Sequence, residues 1–259
     1  MTSDESPARP RKSLGQHFLQ DENIARKIIS FIPGHRLTLL EIGPGRGMLT
    51  KYILQNDQWD PCFIETDKEA VVYLQKKFPG EADRILHADF LKTDLQHLLP
   101  GDFHIVGNFP YNISSQIFFR ILDHYKRVRS VTCMLQKEVA RRIASPPSNK
   151  QYGILSVLLQ TYFDIEYLFT VSEHVFFPPP KVKSAVIRLT NADRQVVPAD
   201  NDLFRRVVKT AFNQRRKTLR NALKALGQDL TVLPDEILSL RAEQLGPGDF
   251  IRLSDALSR

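Results

Sequence analysis

The amino-acid sequence predicts an α/β fold: a mostly parallel, doubly wound sheet followed by a small all-helical domain. Three observations lead there. Apolar, strand-like runs alternate with helix-like segments from residue 37 to about residue 162, a glycine-rich turn opens the first of those helices, and after Asn191 the pattern becomes helical only. Strict alternation implies right-handed crossovers between parallel neighbours.

The elements read as follows. "LTLLEIG" (37–43) is a strand, 47–55 a helix, "PCFIE" (61–65) a strand and 68–78 a helix carrying Val71, Val72 and Leu74. "RILHA" (84–88) and "FHIVG" (103–107) are further strands, and 114–125 is a helix with Ile117, Phe118, Ile121 and Leu122 at helical spacing. "VTCMLQ" (131–136), a helix at 137–144, a loop rich in Pro, Ser and Asn and a helix at 153–162 follow. Segments 164–171 and 182–190 have no helix between them, which suits an antiparallel hairpin at one edge. From Phe204 to Leu226 the pattern is helical, and short helices follow to Arg259. The expected domains are therefore 1–191 and 192–259.

Composition narrows the function classes. The chain has 259 residues and a formal net charge of +7. That length buries a core of roughly 70–75% of the unfolded surface without staples. Mild basicity favours an anionic partner only weakly; where the charge sits matters more. Cys62 and Cys133, 71 positions apart inside apolar runs, read as reduced core thiols. The seven histidines have no ligand spacing, so no metal is expected. No apolar run reaches the ~20 residues of a membrane span. "MTSDESPARPRK" has no apolar signal region, and the expected location is cytoplasmic.

The chemistry gathers at strand ends. In "EIGPGRG" (41–47), Gly43, Gly45 and Gly47 let the backbone turn tightly and approach a ligand near a helix N-terminus. The spacing is G-x-G-x-G, not the G-x-G-x-x-G of dinucleotide enzymes. Glu65, 22 residues after Gly43, ends the second strand, where a carboxylate accepts ribose hydroxyls. Asp89 ends the third and is placed for an adenine amino group. The loop resembles that of class I methyltransferases using S-adenosylmethionine.

Asn108 ends the fourth strand, in "GNFPYNIS", beside the reactive end of such a cofactor. An exocyclic adenine amine is a poor nucleophile because its lone pair is delocalised into the ring. An amide oxygen and a backbone carbonyl that accept its two N–H groups favour a pyramidal nitrogen. Pro110 stiffens the turn and removes a competing donor, and Tyr111 offers a face for a purine. Because a sulfonium already activates the methyl, positioning suffices without a strong base.

"NFPY" resembles the (Asn/Asp)-Pro-Pro-(Tyr/Phe) signature of amino-methyltransferases. The chain as a whole resembles the ribosomal RNA adenine dimethyltransferases, in their small-subunit branch. The resemblance rests on "KSLGQHFLQD" (12–21), "EIGPGRG", "FIETD" (63–67), "HADFLKTD" (87–94), "GNFPYNISSQI" (107–117), "VFFPPPKVKSAV" (175–186) and "FNQRRKTLRNAL" (212–223), in the family's order. It implies a Rossmann-like class I S-adenosylmethionine-dependent methyltransferase domain. In it His17 and Leu19, within a basic leader (1–20), lie over the cofactor, Gly43 and Gly45 approach it, Glu65 holds the ribose and Asp89 the adenine. Asn108, Pro110 and Tyr111 hold the target adenine, and Phe176 stacks on its other face. The family commonly has Leu where this chain has Phe109, and Asn where it has His17. The implied substrate is two adjacent adenosines in a hairpin loop near the 3′ end of small-subunit ribosomal RNA, each dimethylated on the 6-amino group within a pre-ribosomal particle; a monomer is the default expectation. An adenine leaves its stack most cheaply from a loop.

Between Phe204 and Leu226 there are eight basic residues and no acidic one. A single-sign cluster suits phosphate contacts. Arg215, Arg216, Lys217 and Arg220 are its candidates for RNA, with Arg9, Arg11 and Lys12 as a basic arm and Arg141, Arg142, Lys181 and Lys183 as further contacts. Other readings are an assembly factor for which methylation is secondary, a large-subunit relative of the macrolide-resistance type, and a DNA adenine methyltransferase. The last usually carries a larger recognition domain than this chain has room for. A nicotinamide oxidoreductase leaves "NFPY" without a use.

Overall fold

The computed structural model describes residues 10–11 and 15–258. The strands are β1 (Phe18–Leu19), β2 (Leu37–Ile42), β3 (Trp59–Glu65), β4 (Ile85–His87), β5 (Phe103–Asn108), β6 (Val128–Gln136), β7 (Phe163–Val171), β8 (Phe176–Phe177) and β9 (Ser184–Asn191). The helices are α1 (Glu22–Ile29), α2 (Thr50–Ile53), α3 (Lys68–Lys77), α4 (Leu95–Leu98), α5 (Ser114–Asp123), α6 (Lys137–Ile143), α7 (Ile154–Tyr162), α8 (Asn201–Asn213), α9 (Leu219–Ala222), α10 (Asp235–Ser239) and α11 (Pro247–Leu257).

Seven strands form one sheet in the order β4-β3-β2-β5-β6-β9-β7. From β4 across the sheet to β6, adjacent strands run parallel, and β9 runs antiparallel to β6. The expected hairpin partners, β7 and β9, are neighbours at the edge. Central parallel strands are covered on both faces, so they read as continuous apolar runs; Leu39 and Leu40 of β2 are both fully buried. Strand order reverses between β2 and β5, and ligands of open α/β sheets bind at the carboxyl ends beside such a switch. Those ends are Ile42, Glu65, His87 and Asn108.

Side-chain caps start several helices. Asp21 accepts from the Ile24 amide (3.0 Å), Asp67 from that of Glu69 (3.0 Å), and Asp200 from those of Asp202 and Leu203 (2.8 and 2.9 Å). Helix α1 lies between the leader (1–20) and the first expected strand, where no element is expected from the sequence; its buried Ala25 and Ile28 supply the apolar stripe. Helix α2 is shorter than the expected 47–55, because Gly47 is left-handed and the turn it belongs to runs on to Leu49.

The chain divides into two compact units, Met1–Ala140 with Glu166–Asn191, and Arg141–Ile165 with Ala192–Arg259. One change of unit falls at Asn191. The sequence reading, however, kept 141–165 with the first domain, whereas by contacts this segment groups with the C-terminal residues. The physical reason is the apolar surface of α7, whose Leu155, Val157, Leu158 and Leu159 are buried and which packs with α8 and α11. The expected helix over 204–226 also differs. It starts at Asn201 and breaks at Gln214–Thr218 before α9.

Among the described residues, no helix is long and apolar enough to cross a membrane.

Candidate active site

A cavity of about 360 Å³ opens at the carboxyl ends of β2, β3 and β5. Its lining brings together His17, Gly43, Gly45, Glu65, Asp89, Asn108, Pro110 and Tyr111, eight of the residues singled out from the sequence.

The glycine loop forms one wall. Gly43 has φ +67°, and a Cβ there would meet nothing within 4 Å, so its backbone faces open space. Gly45 has φ +58°, and a Cβ there would lie 2.8 Å from the Phe18 ring. The first glycine leaves room for a ligand, and the second lets Phe18 close over the loop. Glu65 is 4% exposed. Its Oε2 accepts from the Gly45 amide (3.0 Å) and its Oε1 from that of Asp67 (2.9 Å). Burial pushes the Glu65 carboxyl above the usual carboxylate range, and these amides pull it back. Asp89 Oδ1 accepts from the Leu91 amide at 2.9 Å, holding the turn after β4.

The opposite wall is the Asn108 turn. Asn108 Nδ2 donates to the His17 carbonyl oxygen at 2.8 Å. A carbonyl only accepts, so the amide orientation is fixed and Oδ1 is the half left for a substrate donor. The Phe109 amide donates to Met134 O (2.9 Å), tying the turn to β6. The Tyr111 hydroxyl is hydrogen-bonded to that of Ser184, which is fully buried. Burial raises the Tyr111 phenol, so it stays neutral. The His17 and Tyr111 rings stack with centroids 5.5 Å apart, and His17 Nδ1 lies 2.7 Å from Pro178 O.

Two expected residues fall outside this lining, although Leu19 joins Gly43, Gly45 and Asn108 around a small adjoining cavity. Leu19 and Phe176 are 5% and 3% exposed and belong to the apolar core. The cause is the short antiparallel ladder of β1 and β8, with Phe18 opposite Phe177 and Leu19 opposite Phe176. Opposed residues share a face. Leu19 and Phe176 take the core face, leaving Phe18 and Phe177 to the other. Four residues of consequence had no role in the sequence reading. Glu41, buried in β2 within the quoted "EIGPGRG", accepts from Thr50 Oγ1 at 2.7 Å; a carboxylate among Leu39, Leu40 and Ile42 was the available signal. Ser184, Phe18 and Arg46 likewise lay within quoted segments.

The basic candidates divide. Arg215 pairs with Glu243 (3.6 Å) and Arg220 with Asp235 (2.6 Å), while Arg216 and Lys217 are exposed in the break after α8. Arg11 reaches Glu69 at 2.7 Å. Arg9 and Lys12 lie outside the described residues.

Comparison with known proteins decides the family. The ribosomal RNA adenine dimethylase family matches residues 8–253. The chain belongs to the ribosomal RNA adenine dimethylase family. Among its relatives, Ribosomal RNA small subunit methyltransferase A of Parabacteroides distasonis is 52% identical over 95% of this chain and 93% of its own length. The Cytophaga hutchinsonii protein of the same name is 50% identical over 96% of this chain and 98% of its own. A dimethyladenosine transferase from Plasmodium falciparum has the same fold, with TM-score 0.76 and 23% identity over 92% of this chain and 96% of that one. The 23S rRNA methyltransferase ErmE follows with TM-score 0.69 and 25% identity over 93% and 100%. The chain is therefore an S-adenosylmethionine-dependent methyltransferase of ribosomal RNA with a Rossmann-like domain.

The cavity residues fit that donor. A Cβ on Gly43 would meet nothing within 4 Å, the Glu65 carboxyl is buried at the end of β3, and Asp89 follows β4, one strand further out.

Proposed function

We propose that this protein dimethylates the 6-amino groups of two adjacent adenosines in a hairpin loop near the 3′ end of small-subunit ribosomal RNA. It acts on a pre-ribosomal particle in the cytoplasm, as a monomer. Support for the small subunit comes from the names of relatives about half identical over nearly the full chain. The observation that carries the chemistry is the fixed amide of Asn108.

When bound, S-adenosylmethionine supplies an electrophilic methyl group on a positively charged sulfur. The chain's own residues position the amine. Asn108 Oδ1 and the Phe109 carbonyl accept its two N–H groups, drawing the nitrogen lone pair out of conjugation. Pro110 stiffens the turn that presents both acceptors. Tyr111, anchored by Ser184, lays an aromatic face along the purine. No general base is needed; the proton leaves to solvent after the N–C bond has formed. Orientation of this kind supplies up to about 7–11 kcal/mol of the barrier. Exposed Arg216 and Lys217 take phosphates; Arg215 and Arg220 do so after exchanging their acidic partners.

The test is transfer of labelled methyl to under-methylated small ribosomal subunits, large subunits and duplex DNA side by side, with the product nucleoside identified. Dimethyladenosine from the small subunit alone is the expected result. Label in the large subunit overturns the assignment in favour of the macrolide-resistance type. No label anywhere, with the donor bound, overturns the enzymatic reading of these substrates.

A further inference from the structure

Phe177 is nearly half exposed, at 46%, although Phe18, directly opposite on the β1–β8 ladder, is only 7% exposed. A ring needed only to complete the ladder would be covered like its partner. Phe18 also lines the active-site cavity, and Phe177, outside that lining, lies opposite it on the same face of the ladder. The Arg46 guanidinium, from the glycine loop, lies 4.7 Å from the Phe18 centroid and 5.5 Å from that of Phe177. Downstream in the same segment, Lys181, Val182 and Lys183 are exposed as well.

An open aromatic face with an arginine against it and lysines nearby is the combination that binds single-stranded nucleic acid. The ring takes a base of any kind, and the cations take the backbone. Arginine's planar fork also matches a phosphate in a bidentate way. The target adenine occupies the interior, between the Asn108 turn and the glycine loop, and its neighbour along the strand must leave by the cavity mouth. We propose that Phe177, backed by Arg46, is a stacking shelf for the unpaired RNA base adjoining the one being methylated. It sets how the loop is threaded into the site, and so which adenosine enters. This inference rests on ribosomal RNA being the substrate.

Phe177→Ala and Phe177→Trp test it, with under-methylated small ribosomal subunits as substrate. Loss of one partly exposed stacking contact raises KM for the particle by about tenfold in Phe177→Ala. In that variant kcat, donor affinity by calorimetry and the melting midpoint stay near those of the unaltered protein, and Phe177→Trp returns KM to within about twofold. An unchanged KM in Phe177→Ala overturns the shelf. So does a loss seen instead in donor affinity or melting, which would make Phe177 a support for Phe18 and the glycine loop. The unaltered protein is assayed first: if it labels no small subunit, the substrate reading fails, and the shelf falls with it.

Discussion

The amide nitrogen of Asn108 is committed to the backbone oxygen of His17, 2.8 Å away, so one hydrogen bond both fastens the segment before β1 and orients the amide at the end of β5. Asn108→Ala removes the acceptor and the fastening together. We expect kcat to fall by about 100- to 1000-fold, the range for deleting one preorganised polar contact at a reacting centre. Donor affinity should change far less. Asn108→Asp should fare no better, because a carboxylate opposes the His17 carbonyl instead of donating to it. Single-turnover methyl transfer with parallel calorimetry checks both variants.

Glu65 receives two backbone amides with its two oxygens. In Glu65→Gln one side-chain NH₂ meets a backbone N–H, and a charge-assisted acceptor is lost. At about 1.5–3 kcal/mol for a hydrogen bond to a charged group, donor affinity should weaken by roughly 10- to 100-fold. Equilibrium binding of S-adenosylmethionine reads this directly, and a change below twofold would count against the ribose role.

Glu41 gives a pH signature. Burial pushes its carboxyl up to about 8, Thr50 opposes the shift and the charge of Glu65 adds to it. Folded Glu41 therefore keeps its proton between 4.5 and about 8, where the unfolded side chain has lost it. This group's contribution to stability is full below pH 4.5 and is lost as pH rises toward 8. Glu41→Gln removes that dependence. The unfolding free energy of the variant, relative to the parent, should be higher at pH 9 than at pH 5 by on the order of a few kcal/mol, read as a higher relative melting midpoint.

Gly45→Ala places a methyl 2.8 Å from the Phe18 ring at φ +58°. Strain of about 1–3 kcal/mol for a non-glycine residue there should lower the melting midpoint by several degrees. Donor affinity should weaken with it. Gly101→Ala is the control: a Cβ there meets nothing within 4 Å, and its φ is not left-handed.

Arg216 and Lys217 are exposed, whereas Arg220 is held by Asp235. Replacing the first two together by Ala should weaken binding of the small subunit and reduce the slope of log affinity against log salt by about 1.4–1.8. Arg220→Ala alone should change the slope by less. Filter binding at three salt concentrations distinguishes them.

The parallel core was legible because strands covered on both faces are written as unbroken apolar runs, and each site residue follows such a run directly. Gly43, Glu65, Asp89 and Asn108 could thus be placed by counting along the chain. What escaped depends on partners remote in sequence. Nothing in "NQRRKT" announces a helix break; the break is set by Thr218 bridging to Arg241 and the Leu219 amide donating to Leu240 O at 2.7 Å. Adjacent Phe176 and Phe177 are chemically the same, and only the register with β1 tells which one meets the core. Helix α1 was the avoidable omission. Asp21 is a capping residue, and Ala25 and Ile28 stand at helical spacing behind it.

The chain passes between its two units three times, after Ala140, Ile165 and Asn191. During synthesis, α7 emerges well before α8 and α11, with which it packs. The apolar surface of α7 must therefore wait uncovered while some forty further residues are made. The same order means that a product stopped at Asn191 would carry a complete seven-stranded sheet together with an orphaned oily helix. Such a fragment invites aggregation. Shortening this protein to its sheet-bearing part would therefore require excising the stretch that carries α7, ahead of β7, and rejoining the ends, not simply cutting at the last strand.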